Sequence, residues 1–421
     1  MSLSSAINSA VSALNAQSSA LAMVSNNLAN TSTIGYKTTS ASFSSVLAGS
    51  MSSGSGAAGG VTVSSVANVS GQGLLETSSV STNMAISGSG FFAVSGATDD
   101  NTAYYTRNGE FSVDSDGYLT NNGYYLLGWA TDADGNITGS ATANGLKPVD
   151  VDSISTIAAP TTTMSMIANL PADAATNATF TSSVELYDSL GTAATSEVTW
   201  TKTGENTWTA SFADPTLASD PTQTVGTVTS DPITITFNAD GTLASTDPAS
   251  PTLTIGSWTT GAASSSVALD LGTAGAASGL SQYSAGTDTL TVDLEAKQDG
   301  VAMGTLTGVE IADDGTVSGV YDNGMTRSIF KIPVATFTNA DGLSAMSNGI
   351  YQATSESGGA TLRISGTNGA GTIYGSQLEL STADTNEEFA KMMAAQQAYS
   401  GAAQIVSTAK SMFDTLLSAV R

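Results

Sequence analysis

LSSAINSAVSALNAQSSALAMVSNNLANTSTIGYK, residues 3–37, is the stretch whose reading decides the fold. Leu3, Ile7, Ala10, Leu14, Gln17, Leu21, Val24 and Leu28 follow one another at steps of four and three. That is an unbroken heptad register, the narrow seam of a coiled coil rather than the broad stripe of an ordinary core helix. The remaining faces carry Ser, Asn, Ala and Gln, and no charged residue precedes Lys37. A helix with its back to water usually places Lys and Glu there, so this back is expected to face other protein.

A partner stretch lies at the far end. Thr385 followed by Glu388 has the spacing of a capping box. From there Phe389, Met392, Gln396, Tyr399, Ala403, Val406, Lys410, Phe413, Leu417 and Val420 again step by three and four. Glu387 and Glu388 at the start and Arg421 at the end have the signs that the helix macrodipole favours. At a rise of ~1.5 Å per residue the two helices span roughly 40 and 55 Å. The sequence therefore predicts a rod of paired terminal helices, with everything between them carried on one end.

The composition excludes several chemistries. The 421 residues have 11% charged side chains, a formal net charge of -25, no Cys and no His. An acidic chain without a basic cluster argues against nucleic acid and anionic membrane as partners. Zinc sites, thiol chemistry and Ser/His or Cys/His pairs lack their residues. The absence of Cys leaves the redox compartment open. No basic segment followed by an apolar run marks a secretory signal, and no apolar run reaches membrane-spanning length.

Between the helices the pattern changes to strands. Phe91 to Val94, Tyr104 to Thr106, Glu110 to Val113, Tyr118 to Thr120 and Tyr124 to Trp129 are short runs. They are separated by turn signals such as Asp116-Gly117 and Asn122-Gly123, the pattern of successive hairpins. A second shift falls near Pro148: all prolines but Pro333 lie between Pro148 and Pro251, and no basic residue occurs between Lys202 and Lys297. Here Val198, Trp200 and Lys202 alternate, turn near Gly204, and continue as Trp208, Ala210 and Phe212; Ile233, Ile235 and Phe237 alternate before Asp240-Gly241. Later strands are expected at Leu306 to Ile311, Val317 to Tyr321 and Met325 to Val334. The expected fold is mainly β with paired terminal α-helices: a coiled-coil-like helical rod plus two β domains, the second inserted into the first. The expected boundaries are 1–36 with 385–421 for the rod, 37–75 with 358–384 for an irregular linker, 76–147 with 283–357 for the inner β domain, and 148–282 for the inserted domain. Ser50 to Gly60, rich in Ser, Gly and Ala, is expected to be flexible or irregular and to let rod and β domain change their angle.

Two catalytic or metal readings compete with plainer ones. Asp114-Ser115-Asp116-Gly117 and Asp132-Ala133-Asp134-Gly135 look like fragments of a calcium loop, but neither has both the further oxygen ligand and the closing Glu that such a loop needs. Hairpin turns with Gly at positive φ explain them better. Paired carboxylates of a glycosidase can always be found among 36 acidic residues, so that signal is nearly empty. No enzyme activity, cofactor or metal is expected.

Several motifs resemble those of the bacterial flagellar axial proteins, and among them the hook branch. Ser25-Asn26-Asn27-Leu28-Ala29-Asn30-Thr31 followed by Gly35-Tyr36-Lys37 is similar to the N-terminal signature of that family. Gly90-Phe91-Phe92-Ala93-Val94 and Tyr105-Thr106-Arg107-Asn108-Gly109-Glu110-Phe111 resemble its β-domain motifs. Asp322-Asn323-Gly324, Ala335-Thr336-Phe337, Glu387-Glu388-Phe389 and Ala395-Gln396-Gln397-Ala398-Tyr399 are later matches. The hook branch rests on the large middle segment, around Val184 to Gly191 and Ile233 to Leu243. Two departures stand out: Gln397 where the family usually has Arg, and Thr382-Ala383-Asp384-Thr385 in place of an Asn-Val-Asp-Leu lead-in. The resemblance implies a homopolymer, a curved tube outside the cell that joins rod to filament. It also implies partners among the rod, hook-cap and hook–filament junction proteins, and export by the flagellar type III apparatus. The residues expected to carry assembly are Leu3, Ile7, Leu14, Leu21, Val24, Asn26, Asn27, Leu28 and Asn30 on the first helix. On the second they are Phe389, Met392, Gln396, Tyr399, Val406, Phe413 and Leu417. A distal rod or hook–filament junction protein, or an acidic β-rich surface adhesin or calcium-binding module, are the rival readings.

Overall fold

The computed structural model describes residues 3–46, 60–99, 102–276, 278–286 and 290–419. The stretch Ser50 to Gly60 lies outside them apart from Gly60, as do Val420 and Arg421. The chain is mainly β with one long helix near each terminus, α1 (Leu3–Ala29) and α2 (Thr385–Ala419). It divides into two compact units. One comprises Met1–Ser153, Gly308–Val320 and Thr326–Arg421; the other comprises Ile154–Thr307 and Tyr321–Met325. The middle unit thus starts later and runs further than the 148–282 expected from the sequence. Proline content marks that segment's strands, but not the point where the backbone changes unit.

The middle unit is built from two sheets around one core. In the first, Thr179–Tyr187, Ala193–Gly204, Thr207–Phe212, Ile233–Phe237 and Leu243–Asp247 pair antiparallel in turn. The alternation read from the sequence sets the register: Val198 faces Phe212, Trp200 faces Ala210 and Lys202 faces Trp208 across the hairpin. In the second, Thr252–Gly256 pairs with Ser265–Asp270, which pairs with Thr163–Asn169. Strict two-residue alternation buries one side of each strand. Trp200, Trp208, Leu186 and Ile235 of one sheet share a cluster with Met164, Met166, Leu253 and Val267 of the other.

The larger unit centres on the strand Phe91–Ser95, buried along its whole length. It pairs with Tyr104–Thr106, Tyr124–Ala130 and Val334–Thr336. Alternate side chains enter different clusters: Phe92 and Val94 join one with Phe111 and Leu126, while Phe91 and Ala93 join another with Tyr105 and Tyr351. Phe92 meets Phe111 edge to face at 5.8 Å, and Tyr105 meets Phe337 likewise at 4.8 Å. The Asn122-Gly123 turn has both residues at positive φ, 50° and 82°, which matches a two-residue hairpin between twisted strands. Asp114 and Asp132 each accept hydrogen bonds from backbone N–H groups of their own turns, from Asp116 and Tyr118, and from Asp134 and Asn136.

The expected irregular linkers contain strands. Thr39–Ser45 pairs antiparallel with Val61–Ala67, Leu75–Thr77 with Gln377–Glu379, and Met84–Ser87 with Thr372–Gly375. Thr39–Ser45 has Phe43 as its one large apolar side chain, so it carries no alternation to read; its partner strand, not its own pattern, makes it a strand.

Two expectations about the helices are corrected. The N-cap of α2 is Asp384, not Thr385. Its Oδ1 accepts from the N–H groups of Asn386 at 2.7 Å and Glu387 at 3.1 Å, a charge-assisted cap that a threonine hydroxyl does not match. Glu388 is therefore free of the capping role and points elsewhere. The inner seam is also shifted from the expected register, of which Ala10 and Val24 are buried while Ile7, Leu14, Leu21 and Leu28 are half-buried. α1 buries Ala10, Ala16, Ala20, Val24 and Asn27, and α2 buries Glu388, Ala395, Ala402 and Ala409, a strict seven-residue repeat. Small side chains allow close approach of the two backbones, so the pair packs on alanine and turns its leucines to the flanks.

Candidate assembly site: the helix pair and its buried junction

The residues named in the sequence fall into two groups. Those of the helices form the candidate assembly surface. Ile7, Leu14, Leu21 and Leu28 are half-buried, Asn26 is exposed, and Val24 and Asn27 are buried against α2 and its surroundings. Asn30 is half-buried and donates from Nδ2 to the Asn26 carbonyl at 2.8 Å. On α2, Met392 and Val406 are half-buried, Gln396 is exposed, and Phe389, Tyr399, Phe413 and Leu417 expose 47, 42, 42 and 63% of their surface. Leu3 lies at the start of α1. Met393, Ile405 and Met412 are exposed as well, so among the described residues seven large apolar side chains of α2 lie in water, a surface made to be covered.

The motif residues from Asn27 to Gly109 converge at the base of the helix pair. Glu379, 1% exposed, is the centre. Its Oε1 accepts from Lys37 Nζ at 2.7 Å and from the Gly73 N–H at 2.6 Å, and its Oε2 accepts from Arg107 Nε at 2.7 Å. The remaining donors of the two cations go to backbone carbonyls: Lys37 to Gly71, and Arg107 to Gly90, to Gly88 at 2.8 Å and to Ile86 at 3.1 Å. Burial pulls the Lys37 ammonium below the usual lysine range, and the Glu379 carboxylate opposes that shift. Two desolvated cations thus share one carboxylate, and the carbonyls supply the rest of the negative potential.

One layer above, Asn27 joins three segments. Its Nδ2 donates to the Thr39 carbonyl at 2.9 Å and to Glu388 Oε2 at 3.1 Å, while its Oδ1 accepts from the Tyr36 hydroxyl and the Thr39 N–H, both at 3.0 Å. Glu388 also takes Lys391 Nζ at 2.9 Å. The end of α1 is thereby fixed beside the start of α2, and the two helices run antiparallel.

The glycines of the motifs make room for this junction. Gly35 has φ +68°, and a Cβ there would lie 2.7 Å from the Asn108 nitrogen. A Cβ on Gly109 would overlap the Met84 carbonyl oxygen, and one on Gly90 would overlap Val334. Arg107 and Asn108 are held between these close approaches, both buried.

Sequence reasoning missed Glu379 and Asp188. Asp188, fully buried in the middle unit, accepts from the Leu190 and Thr192 N–H groups at 2.8 and 2.9 Å and from the Thr260 hydroxyl at 2.6 Å. It lies within the Val184 to Gly191 segment quoted for the hook resemblance, but a single acidic residue among so many carries no local mark of burial.

Four family models match the chain in order. They are Flagella basal body rod protein over residues 7–37, Flagellar hook protein FlgE/F/G D1 domain over 85–167, Flagellar basal body protein FlaE D2 domain over 155–301, and Flagellar basal body rod FlgEFG protein C-terminal over 375–419. The Flagellar hook protein FlgE of Brucella abortus is 32% identical over 431 aligned positions that cover 100% of both chains. That of Escherichia coli is 31% identical, covering 92% of this chain and 93% of its own. A solved structure, Helicobacter pylori flagellar hook protein FlgE2, matches with 15% identity and a TM-score of 0.43 over 71% of this chain and 99% of that one, too loosely to place residues. The motifs that meet at Glu379 lie inside these matches, and the full-length identity makes this chain a member of the flagellar hook protein family.

Proposed function

We propose that copies of this chain polymerise into the flagellar hook, a curved tube that passes torque from rod to filament and encloses the export channel. The observation that carries this reading is the helix pair. Its inner seam is satisfied within one molecule, while Phe389, Tyr399, Phe413 and Leu417 stay exposed and α1 presents a back without charge. Such a surface is costly in water and gains by burial among further copies. The β units then form the outer layers, where contacts that slide as the tube turns are expected to be polar and wet. At its ends the polymer meets other axial proteins: the rod at one, the hook cap and then the junction proteins at the other. The subunit reaches the outside of the cell through the type III export apparatus, and a chain without Cys cannot be locked by disulfides in transit.

Electron microscopy of the purified chain at high concentration tests the proposal. Curved tubes are expected. Straight rods alone would favour a rod role, and a chain that stays monomeric at every concentration would end the reading.

A further inference from the structure

Arg363 stands out among the cations of the larger unit. It ends the strand Thr361–Arg363, which pairs along one side with Val334–Thr336. Its side chain is half-buried, and its Nε donates to the Thr336 hydroxyl at 3.3 Å. No carboxylate among the described residues pairs with it, although acidic side chains outnumber basic ones 36 to 11 in this chain. Its two terminal nitrogens likewise have no partner there, so the outer fork of the guanidinium is open. Arg363 lines a cavity of about 480 Å³, within the size range of small-molecule sites. Arg107 of the buried junction lies in the wall of the same cavity.

The cavity is electropositive in an acidic molecule. Lys37, Arg107 and Glu379 form a buried trio with one positive charge left over. Arg363 adds a second. The one carboxylate among the described lining residues, Asp341, offsets a single charge and accepts from the Ser70 N–H at 2.9 Å and the Ser70 hydroxyl at 3.0 Å. Low-dielectric walls focus such a potential into the space between them. At the rim, Ser89, Thr338 and Asn368 are exposed, and their side chains have no hydrogen-bond partner among the described residues. Hydroxyls and amides of this kind donate to an oxygen that arrives from outside.

We infer that this cavity is an anion site, which takes a small oxyanion, carboxylate or phosphate, on the open edge of Arg363. A planar guanidinium presents parallel N–H groups that grip two oxygens of one such group. Arg107 gives its hydrogen bonds to Glu379 and to backbone carbonyls, so it contributes charge and not contact. The oxyanion can be carried by a free small molecule or by an acidic side chain of another polypeptide, since the recognition chemistry is the same. The site belongs to the single chain and is independent of polymerisation.

The test titrates the full chain, dilute and monomeric, by calorimetry at fixed ionic strength. The probes are citrate, inorganic phosphate and a short poly-aspartate peptide. One site per chain is expected for at least one of them. Arg363→Gln removes the charge and should weaken that binding at least ~10-fold. Arg363→Lys keeps the charge but loses the fork, and should weaken it less. Asp341→Asn removes the opposing charge and should tighten binding, an improvement that structural damage does not produce. Citrate or phosphate binding identifies a free small anion as the occupant, whereas binding of the peptide alone assigns the site to a protein carboxylate. No binding of any probe overturns the inference, as does binding that Arg363→Gln leaves unchanged. Should Arg363→Gln fail to fold, Asp341→Asn decides: an affinity equal to or below that of the unaltered chain overturns the inference.

Discussion

Single residues decide the buried junction. Glu379 holds Lys37 and Arg107 together with 0% of its side chain exposed, so its removal leaves two cations in the interior without a counter-charge. Glu379→Gln should lower the unfolding free energy of the larger unit by about 3–5 kcal/mol, measured by urea denaturation. A loss below about 1 kcal/mol would mean that the carbonyls alone suffice for the cations. Gly109→Ala has no room for its methyl group and should cost about 1–3 kcal/mol through the backbone shift it forces; a neutral result would show the Met84 strand to be pliable. In the middle unit, burial alone would push the Asp299 carboxyl up. Hydrogen bonds from the Thr162 hydroxyl and the Thr162 and Thr163 N–H groups outweigh that and hold it down at about 2, against an ordinary 3.8. Because the folded value is the lower one, this carboxylate contributes stability above the ordinary value, and the contribution is lost as pH falls from 3.8 toward about 2. Melting temperature followed by tryptophan fluorescence should fall across that window, and Asp299→Asn should flatten the fall. An identical acid limb in the variant would assign the effect to other carboxylates. Asp299 itself could be read from the sequence only as one more Asp-Gly turn, since what depresses it is two threonines 137 and 136 residues away.

At the scale of the element, the helices show the same division. Their existence and length follow from local periodicity, but the face that each turns inward does not. Heptad counting favours the largest apolar residues for the seam, whereas the pair packs on Ala395, Ala402 and Ala409. Ala402→Leu should wedge the helices apart and weaken the polymer, seen as a lower disassembly temperature; an unchanged temperature would place the seam elsewhere. Leu21, half-buried in one copy, should behave differently. A buried Leu truncated to Ala costs ~2–5 kcal/mol, and here that cost should appear in the polymer. Leu21→Ala is expected to raise the concentration for tube formation while urea unfolding of the monomer barely changes. Equal losses in both measurements would count against burial between copies.

At the scale of the whole molecule, the β units and the helix pair differ in what holds them. The middle unit has its own core of paired sheets around Trp200 and Trp208. The helix pair buries mainly alanine, which removes little apolar area per turn and leaves long helices marginal on their own. Limited proteolysis of the monomer should therefore trim both ends, up to about Asn30 and from about Thr385, and leave the β units whole. Resistance of the stretch Leu3 to Asn30 would show that the pair is stable before assembly. In the polymer the same sites should be protected.

Taken alone, the sequence determined what depends on neighbours in the chain. Helices stand at both ends because apolar residues recur every three and four positions there, and strands and hairpins lie between because alternation and Asn-Gly or Asp-Gly turns act over a few residues. The Asn27, Gly35-Tyr36-Lys37 and Arg107-Asn108-Gly109 motifs were visible as motifs. Only the tertiary structure decided why they exist: Glu379 meets Lys37 and Arg107 across 342 and 272 residues of chain, and Asn27 meets Glu388 across 361. The choice of alanine over leucine for the inner seam was settled in the same way, because how closely two backbones approach is a property of the pair and is written in neither helix.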